Sequence, residues 1–338
     1  MRLATQEHAQ RLPPIDGAAV ELGRDLRFRF APRRFREPGP GEVRICVEWA
    51  GVCGSDLSVA RTGRWIREWP AVLGHEIFGR IDAVGEGVAT EIGTPVVADS
   101  RVRCGGCPAC MSSAANCLDL AFVGESCPGG FATHCLLAET SVVPASFVDG
   151  AVAVLAEPLA CALHAVGLLS RAPRRVAILG HGPLGALIHI ALRDLEGSVE
   201  VAVAEPLEMR AQLADALGAE RLGDDRSEPA FDAVFDVTGY PGSLRRAVEL
   251  CASGGELIVV ALAHGGEEIN PGLLVEREIA VRGSHAFYDE LPTAVAMLEA
   301  EPWHFRPLVT DAVELAQLPD FFVEELERPR GVKVVVRP

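Results

Sequence analysis

Four cysteines fall within fourteen consecutive residues of this sequence, although the whole chain of 338 residues contains only 10. They are Cys104, Cys107, Cys110 and Cys117. Thiols at such short spacings can bind zinc, form disulfides, carry out redox chemistry or build a nucleic-acid-binding knuckle. The spacing alone leaves these alternatives open, so the rest of the chain has to separate them.

A second set of potential metal ligands lies upstream. Gly51-Val-Cys-Gly-Ser-Asp-Leu57 places Cys53 in a glycine-bracketed turn after a predicted strand, and Leu73-Gly-His-Glu76 places His75 beside Glu76. A catalytic zinc ion needs about three protein ligands and one open position for water or substrate. A thiolate and an imidazole are suitable ligands. Each signal alone is ordinary, because a lone cysteine is usually a small core residue.

Gly180-His-Gly-Pro-Leu-Gly185 has the G-x-G-x-x-G spacing, follows a predicted strand and opens a predicted helix. Gly180 permits a tight turn, Gly182 lets a pyrophosphate approach the backbone, and Gly185 allows close packing of helix on strand. The free N–H groups at the start of the helix favour phosphate binding. The motif in this context predicts a dinucleotide site.

The first turn of that helix adds Pro183 and Leu184 to the predicted cofactor site, and the proline is tolerated because its missing N–H would be unpaired there. Glu205 closes the next predicted strand, about 20 residues after the last glycine. A carboxylate there accepts hydrogen bonds from ribose hydroxyls and repels a 2′-phosphate. The sequence therefore predicts NAD in preference to NADP, and Arg210 blurs this preference if it turns toward the ribose.

The elements around these motifs change in type along the chain. Residues 20–150 alternate short strands with turns and predict a mainly β region. From about residue 170 strands alternate with helices, which predicts a parallel, doubly wound sheet. The predicted strands are 42–49, 79–88, 175–180, 199–205, 233–237, 256–261, 279–282 and 331–336, and the predicted helices are 183–193, 207–217 and 314–328. The last strand needs a sheet to join, so we expect the tail to return to the first domain.

Charge and hydropathy exclude several classes of function. The formal net charge of -16 and the pI near 5.0 disfavour nucleic acid as a partner. The arginines of residues 24–36 alternate with phenylalanines, which indicates a half-buried strand with a solvated face. The first residues lack an apolar segment, and Glu157, Pro158 and His164 interrupt the apolar run 151–169, so we expect neither a secretory signal nor a membrane span. We expect the cytoplasm, where clustered cysteines are more often metal ligands or catalytic groups than disulfides.

Taken together, these motifs resemble the zinc-dependent medium-chain dehydrogenase/reductase family, in its polyol and threonine dehydrogenase branch. The resemblance covers nearly the whole chain, and the motifs occur in the family's order. They are Gly51-Val-Cys-Gly-Ser-Asp56, Leu73-Gly-His-Glu76, the four cysteines, Ala156-Glu-Pro-Leu-Ala-Cys-Ala-Leu-His164, the glycine loop and Val332-Lys-Val-Val-Val336. It implies an α/β fold with a mainly β, GroES-like catalytic domain over 1–155, a Rossmann NAD-binding domain over 156–290 and a C-terminal return to the catalytic domain over 291–338.

The resemblance also implies the ligands of two zinc ions in each chain. Cys53, His75 and Glu157 match the family's catalytic zinc ligands, and Glu76 matches an acid that either binds this zinc or lies beside it. The four clustered cysteines match a closed structural zinc site, with one residue fewer than usual between the last two. His164, one helical step beyond Glu157, is expected to be structural.

The implied reaction is the metal-assisted transfer of a hydride between a secondary alcohol and NAD, on a polyol, sugar, aminocyclitol or amino-alcohol. Ser55 matches the hydroxyl that hydrogen-bonds the substrate, and Asp56 matches the carboxylate that orients a ligand, expected to be His75. Two positions depart from the family: Ser58 replaces a relay histidine, and Thr133-His134 replaces Glu-Tyr. The family implies a homodimer or homotetramer.

Two other functions compete with this one. A simple secondary alcohol or diol is a possible substrate on the same fold. A catalytically silent, zinc-structured binding protein is a different class, and it predicts the loss of a catalytic ligand. Cys53, His75, Glu76 and Glu157 are all present, which disfavours the silent protein.

Overall fold

The computed structural model describes residues 14–111, 117–147, 149–193, 198–223, 228–262, 266, 268–327 and 331–338. The strands in these residues, in chain order, are β1 Ile15–Leu22, β2 Phe28–Phe35, β3 Glu42–Gly51, β4 Glu76–Val84, β5 Pro95–Ala98, β6 Arg101–Val102, β7 Ala121–Phe122, β8 His134–Ala138, β9 Val142–Pro144, β10 Arg175–Leu179, β11 Glu200–Ala204, β12 Glu220–Arg221, β13 Phe231–Asp236, β14 Cys251–Val259, β15 Ala280–Gly283, β16 Val309–Glu314 and β17 Lys333–Arg337.

The helices of the same residues are mostly in the second half of the chain. They are α1 Gly54–Thr62, α2 Pro108–Met111, α3 Gly150–Ala153, α4 Ala156–Gly167, α5 Pro183–Arg193, α6 Glu208–Ala216, α7 Ser243–Leu250, α8 Pro271–Glu276, α9 Leu291–Ala300, α10 Pro302–Phe305 and α11 Leu318–Glu327. Short 3₁₀ turns occupy Glu139–Ser141, Arg306–Leu308 and Leu315–Gln317.

The first sheet runs in the order β16-β17-β3-β4-β5-β9, and β8 also pairs with β3. β3 and β4 are antiparallel, with Gly51 opposite Glu76. On its other side β3 pairs with the C-terminal β17, where Val335 lies opposite Gly51. The end of β3, the start of β4 and the last strand therefore meet at one place, and the tail does return to the first sheet.

The second sheet has the order β12-β11-β10-β13-β14-β15, and each of its pairs is parallel. This is the strand order of a doubly wound, dinucleotide-binding sheet, in which the ligand lies where the order reverses, outside the carboxyl ends of the strands. That reversal falls between β10 and β13. The predicted fold class is confirmed: a mainly β region carries the cysteine motifs, and a Rossmann sheet carries the glycine loop.

The apolar helix pair α3–α4 connects the two sheets. The window 150–167 is long and apolar enough to cross a membrane, but 78% of it is buried inside the protein. α4 packs against α5 and α9 in a core cluster that also includes Val176 and Ile178 of β10. This packing accounts for the apolar composition of the window.

Three predicted elements differ from the structure by several residues. The strand predicted over 256–261 is β14, which begins already at Cys251. The strand predicted over 79–88 is β4, which begins earlier, at Glu76, and ends at Val84. Gly85 follows it and packs closely against Gly39, whose carbonyl oxygen lies 1.7 Å from where a Cβ of Gly85 would be. The helix predicted over 314–328 begins only at Leu318, since residues 309–314 form β16 beside β17. Residue 328 lies outside the described residues. The domain limits at residues 155 and 290 stay predictions.

The arginine-rich segment near the start of the chain is a strand, as predicted. β2 pairs with β1 in an antiparallel hairpin, with Phe35 opposite Ile15. Phe35 is buried, whereas Phe30, which lies five residues away and therefore on the opposite face of the strand, is 47% exposed.

Candidate active site

Three predicted metal ligands come together where β3, α1 and β4 meet. Ligand atoms of Cys53, His75 and Glu76 all lie within 4.8 Å of one another. Cys53 is the residue before α1, and the histidine and glutamate are at the start of β4. The β3–β4 register brings them together, because the residues just after one strand lie beside the residues that open its antiparallel neighbour.

Asp56 contacts the residues on both sides of this cluster. Its carboxylate is almost fully buried and accepts hydrogen bonds from the backbone N–H of Cys53 at 2.9 Å and of Gly74 at 3.3 Å. One of its oxygens is also 3.6 Å from Nδ1 of His75. This contact leaves Nε2, the other ring nitrogen of the histidine, for a metal. The role of Asp56 in orienting His75 stays a prediction, which this contact supports.

The electrostatics around His75 favour a cation. Burial opposes a charge on the ring, but the Asp56 carboxylate and the Cys53 thiolate outweigh burial and raise the pKa of His75 well above its ordinary value. Ser55 Oγ lies 3.5 Å from Nε2 of the same ring. The hydroxyl predicted to contact substrate is thus next to the metal-binding group.

Glu76 forms a buried ion pair with Lys333 of β17. The Nζ atom donates to both carboxylate oxygens at 2.7 Å and to the carbonyl oxygen of Val52 at 3.0 Å. Burial would lower the pKa of Lys333, but the carboxylate outweighs burial and raises it. A side chain at Gly51 would meet Glu76 Oε2 at 1.9 Å, so the glycine that ends β3 leaves the space for this carboxylate.

Glu157 lies outside the three-residue group. It is in the first turn of α4, and its Oε1 accepts a hydrogen bond of 2.6 Å from Ser100 Oγ. Burial raises the pKa of Glu157 in spite of the nearby charge of His75. The structure therefore shows Cys53, His75 and Glu76 in contact, with Glu157 next to them and held by a different partner.

The four clustered cysteines also converge, with their sulfur atoms within 4.8 Å of one another. Backbone N–H groups point at the sulfurs, from Leu118 and Cys110 to Cys107 and from Cys104 to Cys117. The N–H groups of Leu118 and Cys110 lower the pKa of Cys107 to about 6. We call Cys104, Cys107, Cys110 and Cys117 the lobe cysteines, and every described cysteine is a free thiol.

The two donor sets fit zinc in two different ways. The lobe cysteines supply four thiols, which is the donor set of a closed structural site. The Cys53, His75 and Glu76 group supplies a thiol, an imidazole and a carboxylate, with Glu157 nearby, which leaves room for a further ligand. Their assignment as zinc ligands stays a prediction that this geometry supports.

The glycine loop has the shape that its motif predicts. Gly180 has a φ of 92°, and a side chain at Gly185 would be 2.1 Å from the carbonyl oxygen of Gly180. The helix α5 begins at Pro183, followed by Leu184. The first and third glycines are therefore required by a turn and by a close backbone contact.

Glu205 is tied to this loop. Its two carboxylate oxygens accept hydrogen bonds from the backbone N–H of His181 at 2.8 Å and of Leu207 at 2.9 Å. Arg210 Nε donates to the carbonyl oxygen of Gly331 at 2.9 Å, and Arg210 Nη1 lies 3.4 Å from the Cβ position of Gly182. Glu205 and Arg210, the two residues predicted to affect the choice between NAD and NADP, are therefore both next to the glycine loop.

Sequence reasoning gave no role to two residues of the site, Lys333 and Ser100. Lys333 could have been found from the sequence, because a lone lysine in an apolar strand needs a buried partner. No sequence pattern points to Ser100.

His164, which was expected to be structural, contacts Glu290 at 2.9 Å through Nδ1.

Comparison with protein-family models decides the family. Residues 39–147 match the alcohol dehydrogenase GroES-like domain, and residues 183–300 match the zinc-binding dehydrogenase domain. The chain belongs to the zinc-dependent medium-chain dehydrogenase/reductase family. It is similar to D-altritol 5-dehydrogenase of Agrobacterium fabrum, with 30% identity over 87% of this chain and 92% of that protein. It is equally similar to sorbitol dehydrogenase of Bacillus subtilis, with 30% identity over 88% of this chain and 90% of that protein.

A solved structure of the family has the same fold. It is a zinc-binding dehydrogenase of Sinorhizobium meliloti 1021 bound to NADP, with a TM-score of 0.88 and 26% identity. The superposition covers 96% of this chain and 100% of that one. The medium-chain dehydrogenase fold therefore extends over nearly the whole chain.

Proposed function

We propose that this dehydrogenase interconverts a secondary alcohol and a ketone on a hydroxyl-rich small molecule, with NAD(H) as the hydride carrier. The observation that carries the proposal is the group Cys53, His75 and Glu76, whose ligand atoms lie within 4.8 Å of one another, with the Ser55 hydroxyl 3.5 Å from the ring of the histidine. A zinc ion bound there would act as a Lewis acid on the substrate hydroxyl. The nicotinamide supplies the hydride chemistry.

The residues of the chain then handle orientation and the proton. Ser55 Oγ accepts the hydroxyl proton of the substrate and passes its own proton to water or to a ribose hydroxyl. Asp56 contacts the ring of His75, and Lys333 balances the charge of Glu76 in a pair whose two side chains are almost fully buried. Ser58 stands where many relatives have a relay histidine, so Ser55 acts without that residue.

The acidic groups around the cluster are largely compensated. The carboxylate of Glu76 is paired with a lysine, and that of Asp56 contacts His75. Burial raises the pKa of Glu157 and of Glu125, which favours their neutral forms. Similar enzymes are named for polyols, as D-altritol 5-dehydrogenase and sorbitol dehydrogenase are, and for a sugar acid, as L-idonate 5-dehydrogenase of Escherichia coli is. The feature that these named substrates share is a chain of hydroxyl groups, and this supports a hydroxyl-rich substrate.

The test pairs metal content with turnover. We expect two zinc ions per chain by elemental analysis, and NADH formation with polyols, sugars, aminocyclitols or amino-alcohols in preference to simple alcohols. Cys53→Ser should lose one zinc ion and nearly all activity. Cys46 is a half-buried cysteine of β3 outside the group, so Cys46→Ser should keep both zinc ions and the activity. Turnover of simple alcohols alone would favour the diol dehydrogenase. No turnover of any alcohol, with zinc content unchanged in Cys53→Ser, would overturn the proposal.

The cofactor preference has its own experiment. Glu205→Gln keeps one oxygen acceptor for the loop but removes the charge that repels a 2′-phosphate. We expect the ratio of kcat/KM for NAD over NADP to fall by about tenfold or more, which corresponds to about 1.4 kcal/mol. Glu208→Gln, three residues on and paired with Arg221, is the control. An unchanged ratio would remove Glu205 from the recognition of the ribose.

We further propose a cytoplasmic homodimer or homotetramer. β15 is the edge strand of the six-stranded sheet, and Val281 on it is 43% exposed. Such an edge can pair with a second copy of itself. Light scattering on the purified enzyme measures the assembly.

A further inference from the structure

Ser100 lies between β5 and β6, and its side chain is fully buried. Its Oγ is 2.6 Å from Oε1 of Glu157, which is the length expected for a hydroxyl that donates to a carboxylate. The next polar contact of this carboxylate, with Cys161 Sγ, is much longer at 4.0 Å. Among the described residues, Ser100 is therefore the close hydrogen-bond donor that the structure gives to Glu157.

The backbone that carries Ser100 is held from both sides. The Asp99 N–H donates to the carbonyl oxygen of Ser141 at 2.8 Å, and Ser100 itself accepts from the N–H of Val123 at 2.8 Å. Arg101 forms hydrogen bonds with Asp99 through Nε and Nη2, at 2.9 and 2.6 Å. The hydroxyl is thus presented from a fixed segment, which makes its direction specific.

The neighbouring arginine also connects this segment to the cofactor-binding half of the chain. Nη1 of Arg101 donates to the carbonyl oxygen of Phe287 at 2.6 Å, and its guanidinium lies 4.0 Å from the centre of the Phe287 ring. Phe287 is in the segment that follows β15. The segment Asp99–Arg101 is therefore anchored to both halves of the protein next to Glu157.

The two acidic side chains of the site are held differently. Glu76 has both oxygens bound to Lys333, whereas the close hydrogen bond that the described part of the chain gives to Glu157 is at Oε1, from Ser100. We propose that Ser100 is a positioning residue of the catalytic metal site, whose hydroxyl fixes Oε1 of Glu157 and leaves the other oxygen for the cation or its water. This inference rests on the proposed function. Partners of this kind typically change metal affinity or activity by about 10- to 100-fold.

The experiment measures zinc release from the purified, zinc-loaded enzyme to a chromogenic chelator. Cys53→Ser identifies which of the two zinc ions is the catalytic one. We expect Ser100→Ala to weaken binding of that ion by about tenfold or more and to leave the other unchanged. Ser170→Ala is the matched control, because Ser170 Oγ donates to Glu256 Oε1 at 2.7 Å, away from the cluster. It should change neither ion.

A double-mutant cycle separates positioning from packing. In a Glu157→Gln background, the effect of Ser100→Ala on zinc release should largely disappear, because the acceptor that Ser100 fixes is already altered. A loss of affinity that persists unchanged in that background would mean that Ser100 acts through the fold, and it would overturn the proposal.

A second pair of variants, Ser100→Thr and Ser100→Val, tests the role of the hydroxyl even if Ser100→Ala does not fold. The two side chains have the same shape, and only threonine keeps the hydroxyl. Zinc affinity should stay near wild type in Ser100→Thr and fall in Ser100→Val, whatever both lose in stability. Equal affinities in the two variants would overturn the positioning role. If the wild type itself bound no second zinc ion and oxidised no alcohol, the proposed function would fail instead.

Discussion

The lobe cysteines and the Cys53, His75 and Glu76 group are both sets of metal donors, but the chain builds them in opposite ways. The lobe takes its four thiols from one short segment, and Cys104 is exposed while only Cys117 is buried. The second group takes its residues from the ends of two strands and is supported by a lysine 257 residues away from Glu76. The lobe is a local structure, and the second group is a product of the whole fold.

This difference follows from what each site has to do. A closed four-thiol site needs only ligands, and a short loop with N–H···S hydrogen bonds can supply them. A site with an open position needs its charges balanced and its ligands fixed while substrate enters. Asp56 contributes a local hydrogen bond to the N–H of Cys53, whereas Lys333 reaches Glu76 from the last strand of the chain, so the charge of Glu76 is balanced only by a distant element.

The largest expected effect comes from removing the buried lysine. Lys333→Met leaves the Glu76 carboxylate buried without a partner, which should lower the free energy of unfolding by about 3–5 kcal/mol. Arg67→Met, which breaks the exposed pair with Asp119 beside the lobe, should cost at most about 1 kcal/mol. Urea unfolding of the metal-free variants at neutral pH measures both. Equal losses would contradict the contrast between the two regions.

In acid a third region also affects stability, the buried pair formed by His181 of the glycine loop and His189 of α5. His181 Nε2 lies 3.3 Å from His189 Nδ1, and burial lowers the pKa of each histidine to about 4. Below the ordinary value near 6.5, the unfolded chain binds protons that the folded protein does not. Stability should therefore fall as the pH falls from about 6.5 to about 4.

His189→Leu tests this effect. Between neutral pH and pH ~5, the metal-free variant should gain about 2 kcal/mol in unfolding free energy relative to wild type. His304→Leu, at a largely exposed histidine, is the control and should show no such gain. If the free energy of unfolding changed with pH equally in His189→Leu and in wild type, burial of this histidine would not be the cause of the loss of stability in acid.

The smallest global effect is expected in the lobe. Cys107→Ser should abolish metal binding there but change the free energy of global unfolding by less than about 1 kcal/mol, because the lobe can open separately from the two sheets. Hydrogen exchange should show lost protection around residues 104–111 and unchanged protection in β3 and β10. Loss of protection in those strands would show that the lobe supports the fold.

How far the sequence predicts the molecule depends on how local each feature is. The glycine loop, α5 and the lobe cysteines follow from short spacings, and the structure has them where they were predicted. The helix predicted from Glu314 failed because β16 is stabilised by pairing with β17, a contact that no local pattern contains.

The candidate site shows the same limit. Cys53 and His75 are recognisable from their motifs, but their proximity depends on the β3–β4 register. Ser100 gave no sequence signal at all, because its role exists only once α4 brings Glu157 against it. Sequence reasoning named both Glu76 and Glu157 for the catalytic zinc and left open which of them binds it. The structure has Glu76 in the group with Cys53 and His75, and Glu157 beside the group.

The pairing of Glu76 with Lys333 also sets an order of events during synthesis. The ribosome makes the lysine 257 residues after the glutamate, which is roughly 13 to 50 s later at typical elongation rates. During that interval β3 lacks its C-terminal neighbour, and the carboxylate must stay hydrated or protonated. The catalytic pocket is therefore finished late, after the Rossmann half has been translated, whereas the lobe can close around a metal as soon as its own segment has emerged.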